Sequence, residues 1–591
     1  MKNKFKEIYF LLSQKNRIKL YISFLLLFLS SILDLIGVVS VLPFLSLLVE
    51  PELINTNRYL IKINSYLNFN NKELIIFFGF SSFCLIFFNQ IIRFLSKIYV
   101  IYFCRNLIFE MTNQVFDYYL SKPYSFFLRQ NQQLLVQKCT TYVEALIAGN
   151  LSPFILISAQ FLTTLIIFIF LVFYQTQIIG VLTIILLVYY FLIYKKVSKK
   201  YNLISKNYSN YFESFSRALG DAFGVIQQLK FTENNYFRNR FKHSSELYKN
   251  ANINQNFYGM LPSYFIEVVA YGTILIVSIV LFFQSDNLGK MIPILGVITV
   301  SLRRIIPGLQ EIYTQVLQIK FHSEVYKKIY PDLKKIVKRK EINRTKRNQI
   351  KFSNDINCKN INYGYKKSKS KITINAKFYK GEFVGICGTT GSGKTTFMNI
   401  LSGLIKPKKG KIYCDGQEVK TYNNPIWRKK IGYVPQNRFI LNDTILNNIS
   451  LGKKLKKMDQ IKLNKICKIV DLNNLLRKYN KGYNTFIGDN GLKLSGGQEQ
   501  KIIIARALFN NPEILIFDEG TNALDVISEK KIINNIRKYY KNLTIILITH
   551  RVNALKSCDK IIFIQNSIVK KISNYRSLIK DSNFKKLIFK N

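Results

Sequence analysis

The sequence predicts a two-part fold, with an all-α transmembrane domain of six helices followed by an α/β domain. Long runs of Ile, Leu, Phe and Tyr dominate the chain before about residue 330, whereas later apolar runs are short and separated by Gly, Asn and Lys. The chain has 591 residues, which exceeds what one hydrophobic core normally serves. We therefore expect a membrane domain at 1–330, a basic linker at 331–351 and a second domain at 352–591.

Six stretches can each cross a hydrocarbon core about 30 Å thick, which takes roughly 20 apolar residues. The two hydrophilic segments between them, 104–150 and 195–257, fall on one side, and the second is rich in Lys and Arg. Because cytoplasmic loops carry an excess of these residues, this side, both termini and the second domain are predicted to be cytoplasmic. The six predicted spans are 20–48, 74–103, 151–173, 176–194, 258–284 and 289–318.

The charge and the cysteines exclude other classes of protein. The formal net charge is +52, but the lysines are spread through loops, which argues against nucleic-acid binding and favours a basic face on an anionic bilayer. The eight cysteines show no CxxC spacing, so no zinc or redox site is predicted. The run from Lys334 to Lys351 is basic and poor in apolar residues, as is typical of a solvated connector.

The first outer loop, from Pro51 to Glu73, is longer than the other outer loops. It carries apolar side chains at helical spacing, which predicts a short amphipathic helix on the outer membrane surface. A loop packed on neighbouring helix ends is the alternative. The spaced side chains are Tyr59, Leu60, Ile63, Tyr66 and Leu67.

A strand-like run, Phe383–Cys387, leads into a glycine-rich segment that opens a helix. Glycines let backbone N–H groups turn towards phosphates, Lys394 can reach the terminal phosphates, and the Thr395 hydroxyl can bind Mg²⁺. The segment is therefore predicted to be the P-loop of an NTPase that binds ATP. Its candidate phosphate-binding residues are Gly388, Thr389, Thr390, Gly391, Ser392, Gly393, Lys394, Thr395 and Thr396.

A second apolar strand, Ile514–Phe517, ends in Asp518 and Glu519. We expect Asp518 to hold Mg²⁺ and Glu519 to act as the general base on the attacking water. An acidic pair after a strand is by itself more often a solvated strand end. The P-loop earlier in the chain reverses that balance.

The sequence Leu494-Ser495-Gly496-Gly497-Gln498 precedes a helix that contains Ala505, Arg506 and Ala507. Amide groups at a helix N-terminus form a donor cluster suited to a γ-phosphate. With this motif, residues from about 350 to 591 resemble the nucleotide-binding domain of an ABC transporter. The resemblance implies that Ser495, Gly496, Gly497 and Gln498 also bind ATP.

Further roles follow from the resemblance alone. It implies that Tyr365 stacks on adenine, Gln436 senses Mg²⁺ and the membrane domain, Asp525 is the D-loop aspartate and His550 contacts the γ-phosphate. Glu519, His550 and Lys394 are thus the expected catalytic residues, and Thr395, Gln436 and Asp518 the expected Mg²⁺ site. Gly488 to Gly491 resembles a loop that communicates with the coupling helices. Gly520 and Asn522 replace the Ala and Ser that are common in the family.

In this family the signature motif of one subunit closes over the P-loop of another, so a homodimer is expected, with a heterodimer left open. The membrane half resembles an exporter, with coupling-helix tips expected near Pro123–Phe127 and Gly220–Lys230. Importers are disfavoured because their membrane subunits usually lie on separate chains. A non-transport ABC ATPase is disfavoured by the six spans.

Arg303 and Arg304 lie within the sixth predicted span, where charges are costly and often functional. They are candidates for binding a phosphate or pyrophosphate in a substrate cavity. The alternative is that they pair with a carboxylate such as Glu311 or reach towards water. For Asp34, Arg93 and Glu267, mutual pairing is the simpler interpretation.

The membrane half also resembles bacterial flippases for lipid-linked oligosaccharides. The resemblance implies a polyprenyl-pyrophosphate glycan substrate and a place in the bacterial inner membrane, with export of peptides, drugs or other lipids as the alternative. Asn89 and Ser263 stand at plausible positions of arginines that such flippases use. The matching pieces are Val41-Leu42-Pro43-Phe44, Asn57-Arg58-Tyr59-Leu60, Pro262 with Glu267, and Arg304-Ile305-Ile306-Pro307.

Overall fold

The computed structural model describes residues 2–52, 54, 58–67, 69–174, 195–284, 288–339, 350–363, 372–453, 455–488, 493–582 and 584–585. The chain divides into two compact units. One comprises Met1–Ser121 and Gln130–Asn343, and the other comprises Lys122–Arg129 and Arg344–Asn591. The eight-residue piece Lys122–Arg129, which the sequence analysis placed in the first domain, thus belongs by its contacts to the second unit.

In its described part, the first unit is built from helices. Its long helices are α2 (Gln14–Val49), α4 (Asn71–Leu120), α8 (Ser152–Tyr174), α9 (Lys195–Gly224), α11 (Asn235–Gln284), α12 (Leu288–Phe321) and α13 (Ser323–Arg339). Its short helices are α1 (Lys2–Leu11), α3 (Arg58–Leu67), α6 (Gln132–Cys139), α7 (Thr141–Leu146) and α10 (Ile226–Leu229), with a π-helical turn at Ile147–Leu151.

Five stretches among the described residues are long and apolar enough to cross a membrane. The fourth predicted span, 176–194, lies outside the described residues. Helices α4 and α11 extend far beyond the predicted spans 74–103 and 258–284, because an α-helix satisfies its own backbone in lipid and continues into water unchanged. The five stretches are Gln14–Val49, Asn71–Leu120, Thr141–Tyr174, Asn235–Ile279 and Met291–Phe321.

The predicted outer helix is present as α3. Its Leu60 packs on a small apolar cluster of Leu47, Ile54 and Leu74, so it also contacts neighbouring helix ends, as the alternative expected. Tyr66 is 81% exposed on the other side. The predicted apolar set is therefore divided, with Leu60 packed on the helical unit and Ile63 and Tyr66 exposed.

The predicted solvated linker from residue 331 is wrong over its first nine residues, because helix α13 continues to Arg339. Ile329, Leu333 and Ile336 are all buried on one face of this helix. Their spacing of four and three residues is helical, and the surrounding lysines occupy the opposite face. The basic composition therefore reflects the exposed face of an amphipathic helix.

The second unit contains a ten-stranded sheet with the order β5-β4-β1-β2-β12-β11-β3-β10-β9-β6. The strands β11, β3, β10, β9 and β6 are parallel neighbours, so their carboxyl ends meet at one edge of the sheet. The ten strands are β1 (Asp355–Tyr363), β2 (Ile372–Tyr379), β3 (Phe383–Gly388), β4 (Lys409–Cys414), β5 (Gln417–Glu418), β6 (Ile431–Val434), β9 (Ile514–Asp518), β10 (Thr544–Ile548), β11 (Lys560–Gln565) and β12 (Ile568–Ser573). A separate pair consists of β7 (Asp443–Thr444) and β8 (Phe486–Ile487).

The sheet of the second unit has an apolar core on each face. Strand β3 shows this directly, since Phe383 and Cys387 pack into one core and Val384 and Ile386 into the other. Burial on both faces explains why the parallel strands are continuous apolar runs. The helices of this unit are α5 (Tyr124–Phe127), α14 (Lys394–Leu401), α15 (Pro425–Lys429), α16 (Ile445–Ser450), α17 (Lys457–Ile469), α18 (Asn473–Lys478), α19 (Gly496–Leu508), α20 (Val526–Tyr539), α21 (Val552–Lys556) and α22 (Tyr575–Leu578).

Candidate nucleotide site

The P-loop joins β3 to α14 as the sequence predicts. Gly391 and Gly393 have φ angles of 78° and 94°, a left-handed conformation that favours glycine. The Nζ atom of Lys394 donates to the carbonyl oxygens of Gly388 and Thr389, at 2.8 and 3.0 Å. Burial lowers the pKa of Lys394, while the negative charge of Glu519 opposes that effect. The lysine thus lies folded into the loop, within reach of an anion bound there.

Asp518, at the end of β9, is 2% exposed and faces the P-loop. Its Oδ1 accepts from the Thr395 hydroxyl at 3.0 Å, and its Oδ2 accepts from the Tyr433 hydroxyl at 2.8 Å. Burial raises the pKa of Asp518, and the two hydroxyl donors partly offset this. Two of the three predicted Mg²⁺ residues are therefore in direct contact, and Tyr433 is a contact that sequence reasoning missed.

Glu519 lies at the centre of the predicted catalytic residues. Its Oε2 accepts from Nε2 of Gln436 at 2.8 Å and from Nδ2 of Asn522 at 3.3 Å. The Nε2 atom of His550 is 3.8 Å from its Oε1. Glu519 has a φ of 51°, which is unusual for a residue other than glycine and indicates that its surroundings hold it in place.

His550 follows β10, next to the strand that carries Asp518 and Glu519. Burial lowers the pKa of His550, and the positive charge of Lys394 lowers it further. Its Nδ1 is buried without a hydrogen-bond partner in the described structure. The imidazole is therefore held neutral near pH 7 with one nitrogen directed at Glu519.

The residues present suit a nucleotide triphosphate with Mg²⁺. Ser392 is 3% exposed, and its hydroxyl has no hydrogen-bond partner within the described residues. It stands in a loop whose lysine is turned inwards, beside a carboxylate and a hydroxyl suited to a hard cation. An unpaired buried donor in a basic loop is what a phosphate oxygen would satisfy.

The predicted signature motif begins helix α19. Ser495 is the N-cap, with its hydroxyl accepting from the N–H of Gln498 at 3.4 Å, and the Gln498 side chain accepts in return from the Ser495 N–H at 2.9 Å. Such a capping box fixes the start of a helix and leaves other N–H groups of the first turn available. Across the described residues, no hydrogen bond or ion pair joins this motif to the P-loop of the same chain.

Two family models match the chain once this geometry is established. Residues 372–522 match the ABC transporter model, and residues 20–303 match the ABC transporter transmembrane region. Together the two ranges take in most of the sequence. The chain belongs to the ABC transporters.

Curated relatives of this ABC transporter match over part of its length. The alpha-hemolysin translocation ATP-binding protein HlyB of Escherichia coli O157:H7 is 39% identical over 233 residues, which are 39% of this chain and 33% of the relative. The leukotoxin translocation ATP-binding protein LktB of Mannheimia glucosida is 38% identical over 232 residues, 39% of this chain and 32% of the relative. The chain spans about a third of the length of the curated relatives it matches.

A solved structure of a bacterial Atm1-family ABC exporter with ATP bound matches 97% of this chain and 98% of its own, with a TM-score of 0.76 and 17% identity. At that identity the likeness concerns the fold. It confirms the predicted fold class, a helical transmembrane domain followed by a P-loop ATPase. The ABC transporter thus has the fold of a half-exporter.

Asp525 of the ABC transporter caps helix α20, accepting from the Ser528 N–H at 2.9 Å. The side-chain hydroxyl of Ser528, followed by its N–H, holds the pKa of Asp525 below its usual value. The segment just before it is fixed by Arg551, a residue that sequence reasoning did not single out. Arg551 donates to the carbonyl oxygens of Asn522 and Leu524, both at 2.9 Å. It also pairs with the buried Glu529 at 3.0 Å.

Some predicted residues of the ABC transporter cannot be placed. Tyr365, the expected adenine-stacking residue, lies outside the described residues, as do the last three residues of Gly488 to Gly491. Gly488 itself has a φ of 104°, and a Cβ there would lie 2.9 Å from the backbone of Asn442. That position therefore requires glycine.

The two candidate substrate residues differ in their surroundings. Arg304 pairs with Asp34 at 3.1 Å, and Arg93 lies 3.9 Å from the other oxygen of the same carboxylate. Arg303 is exposed, and no ion pair is found for it within the described ranges. The pairing of Asp34 with Arg93 was foreseen.

The alternative that an arginine pairs with a carboxylate holds for Arg304, with Asp34 in place of the example Glu311. Glu311 accepts from Lys97 at 3.2 Å and from Gln160 at 2.7 Å. The helices α2, α4 and α12 bring Asp34, Arg93 and Arg304 together, whereas Glu311, two helical turns along α12, faces α4 and α8 at another level. Glu267 is exposed on α11 and pairs with neither Asp34 nor Arg93.

Proposed function

We propose that this protein is an ATP-driven exporter of the bacterial inner membrane that works as a homodimer with two ATP sites. The observation that carries the proposal is the meeting of Glu519, Gln436 and His550 beside the Asp518–Thr395 pair. A base, a polar sensor and a cation site within one strand edge form the arrangement that phosphoryl transfer needs. The proposed orientation has the N-terminus and the ATPase unit in the cytoplasm.

The separation of Ser495 from the P-loop within one chain supports the homodimer. The capped N-terminus of α19 offers N–H donors to a phosphate, and a second copy would bring them to the site. In the first unit, the tip around α10 is also apolar and open, with Phe231 84% exposed. Such surfaces favour assembly with another chain.

For hydrolysis, each residue has a stated role. Lys394 and the Ser392 hydroxyl would bind the phosphates, and Thr395, Asp518 and Gln436 would hold Mg²⁺. When bound, Mg²⁺ neutralises phosphate charge and makes the terminal phosphorus easier to attack. Glu519 would take the proton of the attacking water, with Gln436 and Asn522 fixing its carboxylate. Neutral His550 would direct its Nε2 at the same region.

For the substrate, we propose a polyprenyl-pyrophosphate-linked oligosaccharide. The membrane-unit cluster of Asp34, Arg93 and Arg304 contains two guanidinium groups for one carboxylate, and so carries one excess positive charge. The Oδ1 atom of Asn89 in the same cluster is buried without a partner in the described structure, while its Nδ2 donates to Asp34 at 2.8 Å. An anionic headgroup would balance the charge of this cluster.

Export of a polypeptide is the second candidate, and the names of HlyB and LktB favour it. That similarity covers 39% of this chain and about a third of each relative. The two candidates differ in what the membrane unit recognises.

The test is ATP-dependent translocation of a pyrophosphate-linked oligosaccharide in proteoliposomes. We expect transport by the native protein, loss in Glu519→Gln together with ATP hydrolysis, and loss in Arg304→Ala with hydrolysis retained. Arg303→Ala is the matched control and should still transport, because Arg303 lies outside the cluster. If the native protein hydrolyses ATP and moves only peptide, the exporter proposal stands and the glycolipid proposal fails.

A further inference from the structure

Strand β6 places a tyrosine next to the cation-binding aspartate. In the parallel register of β6 and β9, Tyr433 lies opposite Ile516. Side chains two residues apart on a strand share a face, so Asp518 follows Ile516 on the face that Tyr433 shares. The Tyr433 ring packs on the apolar core of that face, and its hydroxyl extends past the core to Oδ2 of Asp518 at 2.8 Å.

This contact determines how the carboxylate is presented. Asp518 is 2% exposed, and no ion pair within 4 Å is found for it among the described residues. Its charge is stabilised mainly by the hydroxyls of Tyr433 and Thr395, with a smaller contribution from the charge of Lys394. With Oδ2 held by Tyr433, Oδ1 is the oxygen turned towards Thr395 and the P-loop. A buried carboxylate that lost one of its two donors would rotate more freely.

The same tyrosine is close to helix α5, the short piece that joins the second unit from the first half of the sequence. Burial raises the pKa of Tyr433, and both Asp518 and Tyr124 of α5 raise it further through their charge. The neighbouring Ser125 of α5 lies 3.4 Å from the Tyr422 hydroxyl. Helix α5 therefore lies near the strand that carries Tyr433.

We propose that Tyr433 is a positioning residue that fixes the orientation of the Asp518 carboxylate for Mg²⁺. It acts through Asp518 and does not itself touch nucleotide. Its contribution is separate from that of Gln436, which contacts Glu519. The inference rests on the proposed ATP site.

The experiment measures binding of a non-hydrolysable ATP analogue to the full-length protein over a range of Mg²⁺ concentrations. For Tyr433→Phe we expect unchanged analogue affinity without Mg²⁺ and an about tenfold higher Mg²⁺ concentration for half-maximal effect, the scale of one charge-assisted hydrogen bond. Tyr413→Phe, in β4 on the far side of the sheet, is the matched control and should behave as the native protein.

A rescue variant separates positioning from a merely structural role. Replacement of Tyr433 by para-aminophenylalanine keeps a donor at the end of the ring and should restore the Mg²⁺ dependence. An unchanged Mg²⁺ dependence in Tyr433→Phe would overturn the inference, as would an equal loss of affinity with and without Mg²⁺. If Tyr433→Phe does not fold, a para-aminophenylalanine variant that folds but keeps a tenfold weaker Mg²⁺ response would overturn it as well. Failure of the native protein to bind the analogue at all would instead reject the proposed ATP site.

Discussion

Both units of the protein bury charged side chains, but they do so by different means. In the second unit, Asp518 lies at a strand end and is satisfied by two hydroxyls, with its sequence neighbours forming the rest of the site. In the first unit, Asp34 is satisfied by side chains from two other helices, Asn89 and Arg93 of α4 and Arg304 of α12. The first arrangement depends on a sheet edge and adjacent loops, whereas the second depends on three helices keeping their relative positions.

This difference predicts opposite effects of removing each carboxylate. Asp34→Asn leaves two arginines without their counter-charge and should lower the unfolding free energy by about 3 kcal/mol, the scale for breaking a buried ion pair. Asp518→Asn removes a charge whose burial is unfavourable and which pairs only with hydroxyls, so the fold should be kept. Thermal unfolding of both variants in the same detergent measures this contrast. Equal unfolding midpoints would contradict it.

A double variant sharpens the first half of that prediction. If Arg304 is the main partner of Asp34, then Asp34→Asn combined with Arg304→Gln should cost less stability than the sum of the single changes. Additive losses would mean that the 3.1 Å pair contributes little, and that Arg93 or Asn89 carries the interaction.

The second prediction concerns the strand-edge site. Arg551→Lys should lower the rate of ATP hydrolysis about tenfold, because one ammonium group cannot reproduce the fork that holds the carbonyls of Asn522 and Leu524 and the Glu529 carboxylate. Asn522 in turn contacts Glu519. Arg537→Lys, at an exposed pair with Asp559, is the control and should keep its rate. Similar rates in both variants would show that the Arg551 fork does not act on the site.

The smallest expected effect is a pH dependence of stability from His550. Because burial and Lys394 lower its pKa from 6.5, the unfolded chain binds the proton at a higher pH than the folded chain. Stability should therefore fall as the pH drops below about 6.5 and level off below the folded pKa, by less than about 1 kcal/mol at this partly exposed site. His550→Gln should lose this component, and His243→Gln, at an exposed position, should keep it. Parallel pH profiles for native protein and His550→Gln would contradict the prediction.

The same contrast explains what the sequence could and could not predict. Lys394 and Thr395 were predictable because a strand, a loop and a helix follow in order, and Asp518 because it ends a second apolar strand after that P-loop. The Tyr433 and Arg551 contacts were not, since they depend on the register of β6 with β9 and on how α20 packs beside the loop after β10. A tyrosine two positions before a proline–glutamine pair carries no signal of its own.

In the first unit, composition located the helices but not their partners. For Arg304 the alternative to phosphate binding was a carboxylate partner, with Glu311 as the example, and the partner is Asp34, 270 residues away. Periodicity identifies the face of a helix, and the neighbour of that face depends on the packing of the whole bundle. The same limit produced the error at 331–339, where charge outweighed a helical pattern of Ile and Leu.

The position of Lys122–Arg129 has a consequence for the order of biosynthesis. This piece is synthesised before the rest of its unit, which begins at residue 344. Its docking surface on the ATPase unit is therefore made when the piece itself is already present. A fragment that starts at residue 344 would fold with that surface bare, and adding a peptide of the sequence 122–129 should raise its resistance to proteolysis.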